Sequence, residues 1–337
     1  MSPAPAPLAV SLGDPAGVGP ELIAAAWLRR EELSLPPFAV IGGTGAVRAA
    51  AAQRGLGVRL VEIASLTEAV AAFPNALPVL AGPDADYAPG RPTANGARLA
   101  LASLQRGAAL ALAGEASALV TLPVAKAELA KIGFTHPGQT EFVAAACGVA
   151  AEDAVMMLAG PSLRAVPLTV HCALADVPGL LSVELITRKG RIVADALRRD
   201  FGIAAPRLAV CGLNPHAGEQ GRMGGEDQAI IAPAVRKLRE QGIDATGPHP
   251  ADALFSTRNR ATYDAALAMY HDQALIPVKA LDFDEGVNVT LGLPIVRTSP
   301  DHGTAFDMSG KNIADPGAII AALRMAGEIA ARRAARG

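Results

Sequence analysis

Short apolar runs punctuate this chain, each ended by glycine, proline or a polar residue, with longer stretches of amphipathic spacing between them. LAVSL at 8–12 stops at GDPAGVGPE, FAVIG precedes a helix near 45–53, SALVTLPV near 117 precedes AKAELAK, and RLAVCGLN near 207 precedes a helix from about Glu226 to Gln241. β-rich runs alternating with helices predict parallel strands flanked by helices, an α/β fold. AVMMLAGPSLRAVPLTV holds two runs split by Gly-Pro-Ser, which predicts a hairpin leading into His171. The alanine-rich stretches 97–113 and 317–334 predict packing helices. At 337 residues the chain is long enough for two cores, and with no repeat and no Gly/Ser linker its two lobes are expected to share crossing segments.

Three of the six histidines stand at or just past the end of an apolar run, in LTVHC, CGLNPHAGE and AMYHDQ. That places His171, His216 and His271 where strands hand over to loops, the usual position of a ligand crevice in an α/β protein. Three neutral imidazoles with one face left open suit a catalytic divalent ion, with structural histidines as the alternative. Asp272 and Asp252 are acidic neighbours that join the ion, orient its ligands, or simply cap a helix or turn. Cys147, Cys172 and Cys211 are read as small buried reduced side chains. Were residues 171 and 172 extended, His171 and Cys172 would point to opposite faces.

A net charge of −2, from 30 basic and 32 acidic residues, offers no field for nucleic acid. The opening MSPAPAPLAV lacks the features of a secretion signal and no segment stays apolar long enough to span a bilayer, so a cytoplasmic location is expected. GDPAGVGPE exposes backbone amides that suit either an anion or a tight structural turn, with Pro20 in the first turn of the next helix. GGTGAVRAA opens a helix after a strand but lacks the last glycine of a dinucleotide fingerprint, Arg48 standing there. Lys279, Asn288 and Arg297, each beside an apolar strand-like run, suit a small phosphorylated or carboxylated substrate as a cluster. The loop 302–316, HGTAFDMSGKNIADP, offers backbone donors beside His302, Asp307 and Asn312 for a nucleotide, or is a long surface connection.

Taken together, GDPAGVGPE, GQTEF, CGLNPHAGE, YDAALAMYHDQALIPVK and GVNVTLGLPIVRTSPDHGTAFDMSGK resemble the 4-hydroxythreonine-4-phosphate dehydrogenase family of pyridoxal phosphate biosynthesis, from about Leu8 to the last helix. The resemblance implies an isocitrate/isopropylmalate dehydrogenase-like fold of two α/β/α lobes, with residues 1–130 and 265–337 in one and 131–264 in the other. It implies a cytoplasmic homodimer whose active site lies in the cleft between the lobes near the dimer interface. It also implies oxidation of phosphohydroxythreonine by NAD(P) and decarboxylation of the product. The family's ligands for one divalent ion, zinc, magnesium or cobalt, fall on His171, His216 and His271. Its substrate contacts fall on Thr140, Lys279, Asn288 and Arg297, and NAD(P) is held by the 302–316 loop, through His302, Gly303, Thr304, Ala305, Asp307 and Asn312, rather than by GGTGAV. The resemblance leaves two other readings open, a paralogue acting on a phosphorylated four-carbon sugar acid or a cyclic dihydrodiol, and a silent metal- and phosphate-binding protein. One departure matters: the family commonly reads GHTEF where this chain reads GQTEF, so Gln139 stands in place of a substrate-contacting histidine. Gln139 can hydrogen-bond but cannot move a proton near neutral pH. His136, three residues earlier, is at an offset that a short loop rarely bridges.

Overall fold

The computed structural model describes residues 6–336. These fall into two units, 6–151 with 293–336, and Glu152–Gly292. In chain order the strands are β1 Leu8–Ser11, β2 Phe38–Ile41, β3 Leu60–Ile63, β4 Leu77–Leu80, β5 Leu119–Thr121, β6 Val155–Ala159, β7 Arg164–Pro167, β8 Arg207–Cys211, β9 Asp244–His249, β10 Ala265–Ala268, β11 Val287–Leu291 and β12 Arg297–Pro300.

In the first unit the strands run β3-β4-β2-β1-β5-β12, and every neighbouring pair is parallel. β1, β2 and β4 are buried at every residue, which is why they read as unbroken apolar runs rather than alternating ones. The connecting helices include Gly19–Leu28, Thr44–Gln53 and Ala94–Leu112. Ser103, buried on the last of these, accepts the Leu12 N–H at 2.9 Å and donates to the Ile41 carbonyl at 2.8 Å, so one hydroxyl satisfies two backbone groups at the strand ends. The carboxyl ends of β1, β2, β4, β5 and β12 lead into the segments beginning at Leu12, Gly42, Ala81, Leu122 and Asp301.

The second unit opens with the predicted hairpin, β6 antiparallel to β7, and β11 lies antiparallel along the other side of β6. Beyond β7 the order β7-β10-β8-β9 is parallel throughout. Helix Val183–Phe201 is capped by the Ser182 hydroxyl, which accepts the Leu185 N–H at 3.0 Å, and ends at Gly202 with φ 72°, the left-handed conformation glycine adopts without strain. Leu158, Ala165, Ala209, Ala266, Leu275 and Val278 fill the core beneath the strand ends.

Two features differ from the sequence reading. The division falls at Ala151/Glu152 and Gly292/Leu293 rather than near 130 and 264, because β10 is inserted between β7 and β8 and β11 pairs with β6. His271, Lys279 and Asn288 therefore belong to the same unit as His171 and His216. IPVKAL, read as strand-like, lies in the helix His271–Asp282, which runs through Pro277. The proline removes one backbone hydrogen bond, and burial of Ala274, Leu275 and Val278 in the core outweighs that loss. Of the three cysteines only Cys211 is buried, its thiol pushed up to about 12 by that burial, while Cys147 and Cys172 are half-buried.

Candidate active site

The three histidines follow the carboxyl ends of three adjacent parallel strands: His171 after β7, His271 after β10 and His216 after β8. A line of hydrogen bonds crosses those ends. The Thr169 hydroxyl donates to the Met269 carbonyl at 2.8 Å, and the Gln273 side chain accepts the Met269 N–H at 2.6 Å and donates to the Gly212 carbonyl at 2.9 Å. His171 and His271 face one another with ring centroids 6.0 Å apart. Both line a cavity of about 300 Å³, together with Thr169, Cys172, Tyr270 and Asp272. Cys172 shares this cavity because His171 sits at φ 52°, in the left-handed region, so the face alternation of an extended strand does not apply.

His271 Nδ1 lies 2.7 Å from Asp272 Oδ1, a contact that places the proton on Nδ1 and leaves Nε2 as the free acceptor. His216 is exposed and opens a run of left-handed residues through Gln220. At roughly 1–2 kcal/mol per non-glycine residue such a turn persists only where its surroundings enforce it. The enforcement is visible in Asp227, buried to 1%, whose carboxylate accepts the Leu213 N–H at 2.9 Å, the Asn214 N–H at 3.2 Å and the Asn214 side-chain amide at 2.9 Å. Asp252 is exposed on the short helix Ala251–Leu254, which packs against the segment carrying His216. Among the described residues no three His, Cys, Asp or Glu side chains already surround a common point. The structure thus brings His171, His271 and Asp272 together around one cavity, while His216 follows the neighbouring strand β8 and Asp252 lies on a helix packed against its segment.

The donor chemistry fits a divalent ion. Metal–nitrogen bonds of about 2.0–2.1 Å put two imidazole centroids on one ion roughly 5–6.5 Å apart, and the His171–His271 pair falls in that range.

In the first unit the anion-binding candidates meet around Arg297, which is 3% exposed and donates to the Thr121 hydroxyl at 2.7 Å and the Thr140 hydroxyl at 3.2 Å. Burial pushes the guanidinium down to about 10, with Glu141 offsetting part of the shift, so an anion bound there would relieve the cost of a buried cation. Gln139 begins the helix Gln139–Ala146 and donates weakly to the Leu122 carbonyl at 3.3 Å, while its Oε1 is buried without a hydrogen bond. His136 packs its ring against Phe134 and Phe142, at 5.4 and 5.5 Å, and so serves the aromatic cluster of that loop. Of the remaining candidates, Asn288 lies on β11 of the second unit with a buried Oδ1 that has no hydrogen-bond partner, and Lys279 is exposed on helix His271–Asp282.

The 302–316 loop is held through its backbone carbonyls to its own unit. Val18 N–H donates to the Thr304 carbonyl at 3.0 Å, Gln53 Nε2 to Gly310 at 3.1 Å and Arg54 Nη2 to Ala314 at 2.8 Å. A Cβ on Gly17 would sit 2.7 Å from the Thr304 oxygen, so GDPAGVGPE serves as a tight turn against which this loop packs. Asp14 braces that turn by accepting the Ala16 N–H at 2.9 Å. Burial raises its carboxyl, which that bond partly offsets. Ala305 and Asn312 take left-handed φ values of 46° and 60°. His302 donates from Nδ1 to the Gly303 carbonyl at 2.9 Å, and its Nε2 is buried without a partner. Gly303 and Asp307 are exposed. By contrast, the helix opened by GGTGAV has its first amides taken by Asp84, whose carboxylate accepts the Gly45 N–H at 2.6 Å. A phosphate would have to displace that carboxylate.

Fold and site together define the class, an α/β enzyme whose ligand-binding loops sit at the carboxyl ends of parallel strands. Known proteins narrow it. The family described as pyridoxal phosphate biosynthetic protein PdxA matches residues 35–326. A 4-hydroxythreonine-4-phosphate dehydrogenase of Erythrobacter litoralis is 65% identical over 328 residues, 97% of this chain and 98% of that protein. The solved 4-hydroxythreonine-4-phosphate dehydrogenase of Klebsiella pneumoniae superimposes with a TM-score of 0.86 at 35% identity, covering 98% of this chain and 99% of that one. A terephthalate 1,2-cis-dihydrodiol dehydrogenase of Burkholderia xenovorans reaches a TM-score of 0.64 at 30% identity, over 96% of this chain and 98% of that one. The chain belongs to the PdxA family, the 4-hydroxythreonine-4-phosphate dehydrogenases.

Sequence reasoning did not find Thr169, Gln273 or Asp227. HDQ places an amide two residues after a histidine, but nothing local says that it reaches back to β8.

Proposed function

We propose that this chain oxidises the secondary alcohol of 4-phosphohydroxy-L-threonine, with NAD(P) reduced in the same reaction, to a 3-oxo acid that decarboxylates to 3-amino-2-oxopropyl phosphate. The observation that carries the reading is the hydrogen-bonded line that gathers the segments of His171, His216 and His271 at three adjacent strand ends, in a chain 65% identical to a protein of that activity.

His171, His216 and His271 hold one divalent ion, zinc, magnesium or cobalt. That ion would supply Lewis-acid polarisation of the substrate's oxygens. Asp272 fixes the His271 tautomer, and Asp252, on the helix that packs against the segment of His216, orients that segment. In the first unit Arg297, Thr140 and Gln139 bind and orient the phosphorylated substrate, contributing position more than chemistry, and Lys279 and Asn288 are the substrate-binding candidates of the second unit. His302, Gly303, Thr304, Ala305, Asp307 and Asn312 hold the nucleotide through a loop whose backbone is already fixed, so little ordering is required on binding. The protein acts as a homodimer in the cytoplasm. Among the described residues no helix is long and apolar enough to cross a membrane.

The 30% identity to a dihydrodiol dehydrogenase keeps a cyclic diol as a second reading, weaker than the first by the difference in identity. After metal reconstitution, NAD(P)H formation should occur with 4-phosphohydroxythreonine and not with a cis-dihydrodiol or a phosphorylated four-carbon sugar acid. Turnover of either other substrate in its place would overturn the assignment, and metal and phosphate binding with no hydride transfer to any of them would mark a silent binding protein.

A further inference from the structure

We infer that Gln273 is a positioning residue that sets the spacing of the histidine-bearing strand ends, and through it the affinity of the metal site; the inference rests on the metal reading above. Its basis is where the sheet stops. Pairing of β10 with β8 ends at Leu267 and Val210, and pairing of β10 with β7 at Ala268 and Pro167. Past those residues backbone groups need other partners, and the chain must still carry three imidazoles to one place.

Gln273 lies in the first turn of helix His271–Asp282 and reaches back to both strands. Its Oε1 accepts the Met269 N–H at 2.6 Å, and its Nε2 donates to the Gly212 carbonyl at 2.9 Å. Met269 is two residues before His271, and Gly212 four before His216. The Met269 carbonyl takes the Thr169 hydroxyl at 2.8 Å, two residues before His171. One side chain therefore replaces the sheet ladder where it has run out. The Gln273 amide offers a donor and an acceptor on one planar group; a carboxylate would set a second oxygen against the Gly212 carbonyl, and an alkyl chain would leave both backbone groups unpaired. Both polar atoms of Gln273 are engaged, which makes it a spacer rather than a ligand. His216 depends on it most, because its segment is exposed and left-handed and is anchored just before the turn, at Gly212 by Gln273 and at Leu213 and Asn214 by Asp227.

The test measures Zn²⁺ affinity by equilibrium competition against a chelator, with thermal melting of the metal-free protein alongside. Gln273→Met should weaken Zn²⁺ binding roughly 10- to 100-fold, the range for residues that orient metal ligands, while the metal-free melting temperature stays within roughly 4 °C. Gln273→Glu, which keeps the acceptor alone, should fall between Met and the wild type. Arg188→Met, which breaks the Arg188–Asp153 pair on the same unit, should leave Zn²⁺ affinity unchanged. Affinity within twofold of wild type in Gln273→Met, while His216→Ala and His271→Ala lose the metal, overturns the positioning role and leaves the metal reading standing. Retention of full affinity in both histidine variants overturns the metal reading and this inference with it.

Discussion

At the residue scale, three of the proposed ligand contacts are polar groups buried with unmet hydrogen-bonding capacity. His302 Nε2, Gln139 Oε1 and Asn288 Oδ1 are each buried without a partner, a state that costs about 1–3 kcal/mol and that a ligand relieves. Arg297 differs, being already held by the Thr121 and Thr140 hydroxyls, but as a buried guanidinium it raises the affinity of an anion that reaches it. Arg297→Ala should raise the Michaelis constant for the phosphorylated substrate on the order of 30- to 100-fold, the equivalent of about 2–3 kcal/mol, and leave that for NAD(P) within twofold. An unchanged substrate constant in steady-state kinetics would remove Arg297 from the phosphate site. For Gln139, an amide and a neutral imidazole make similar hydrogen bonds, so Gln139→His should keep kcat within roughly tenfold and leave the pH–rate profile unaltered. A gain of about a hundredfold with a new ionisation near neutral pH would show instead that the family's histidine moves a proton. These residues were legible in the sequence because their chemistry is local to a motif. Thr169, Gln273 and Asp227 were not, since a threonine, an amide and a carboxylate acquire meaning here only from what the fold sets against them.

At the element scale the strand ends and the loops after them do the positioning. The hairpin β6–β7, the buried strands β1 and β2 and the helix Gly317–Ala334 appear where the apolar pattern placed them, because that pattern is set by neighbours along the chain. The helix through Pro277 does not, because long-range burial overrides local propensity there. Gly17 offers a direct check on the 302–316 loop. In Gly17→Ala the new methyl meets the Thr304 oxygen at 2.7 Å, so the loop must shift, at about 1–3 kcal/mol of stability. The Michaelis constant for NAD(P) should rise by roughly tenfold while that for the phosphorylated substrate changes little. Equal rises in both would show that the loop does not serve the nucleotide alone.

At the scale of the whole molecule, stability toward acid should follow its paired carboxylates. The hydrogen bond from Arg188 holds Asp153 below its ordinary value of 3.8, with burial opposing. A carboxyl depressed in the folded state stabilises fully above its unfolded value and loses that contribution as pH falls through the lower folded value. The difference in melting temperature between wild type and Asp153→Asn should therefore be constant above about pH 5 and shrink progressively as pH falls below 3.8. A difference that grew on acidification would reverse the sign of the linkage. The sequence by itself determined the α/β class, the strand-end histidines, the family and the departure at Gln139, since each depends on residue types and spacings within a few turns of chain. Only the tertiary structure decided that β10 and β11 return to the second unit, that His171 and Cys172 share a cavity, and that Asp84 closes the GGTGAV helix. Each of those follows from pairing between distant segments or from a left-handed backbone, and no local pattern of apolar and polar residues encodes either.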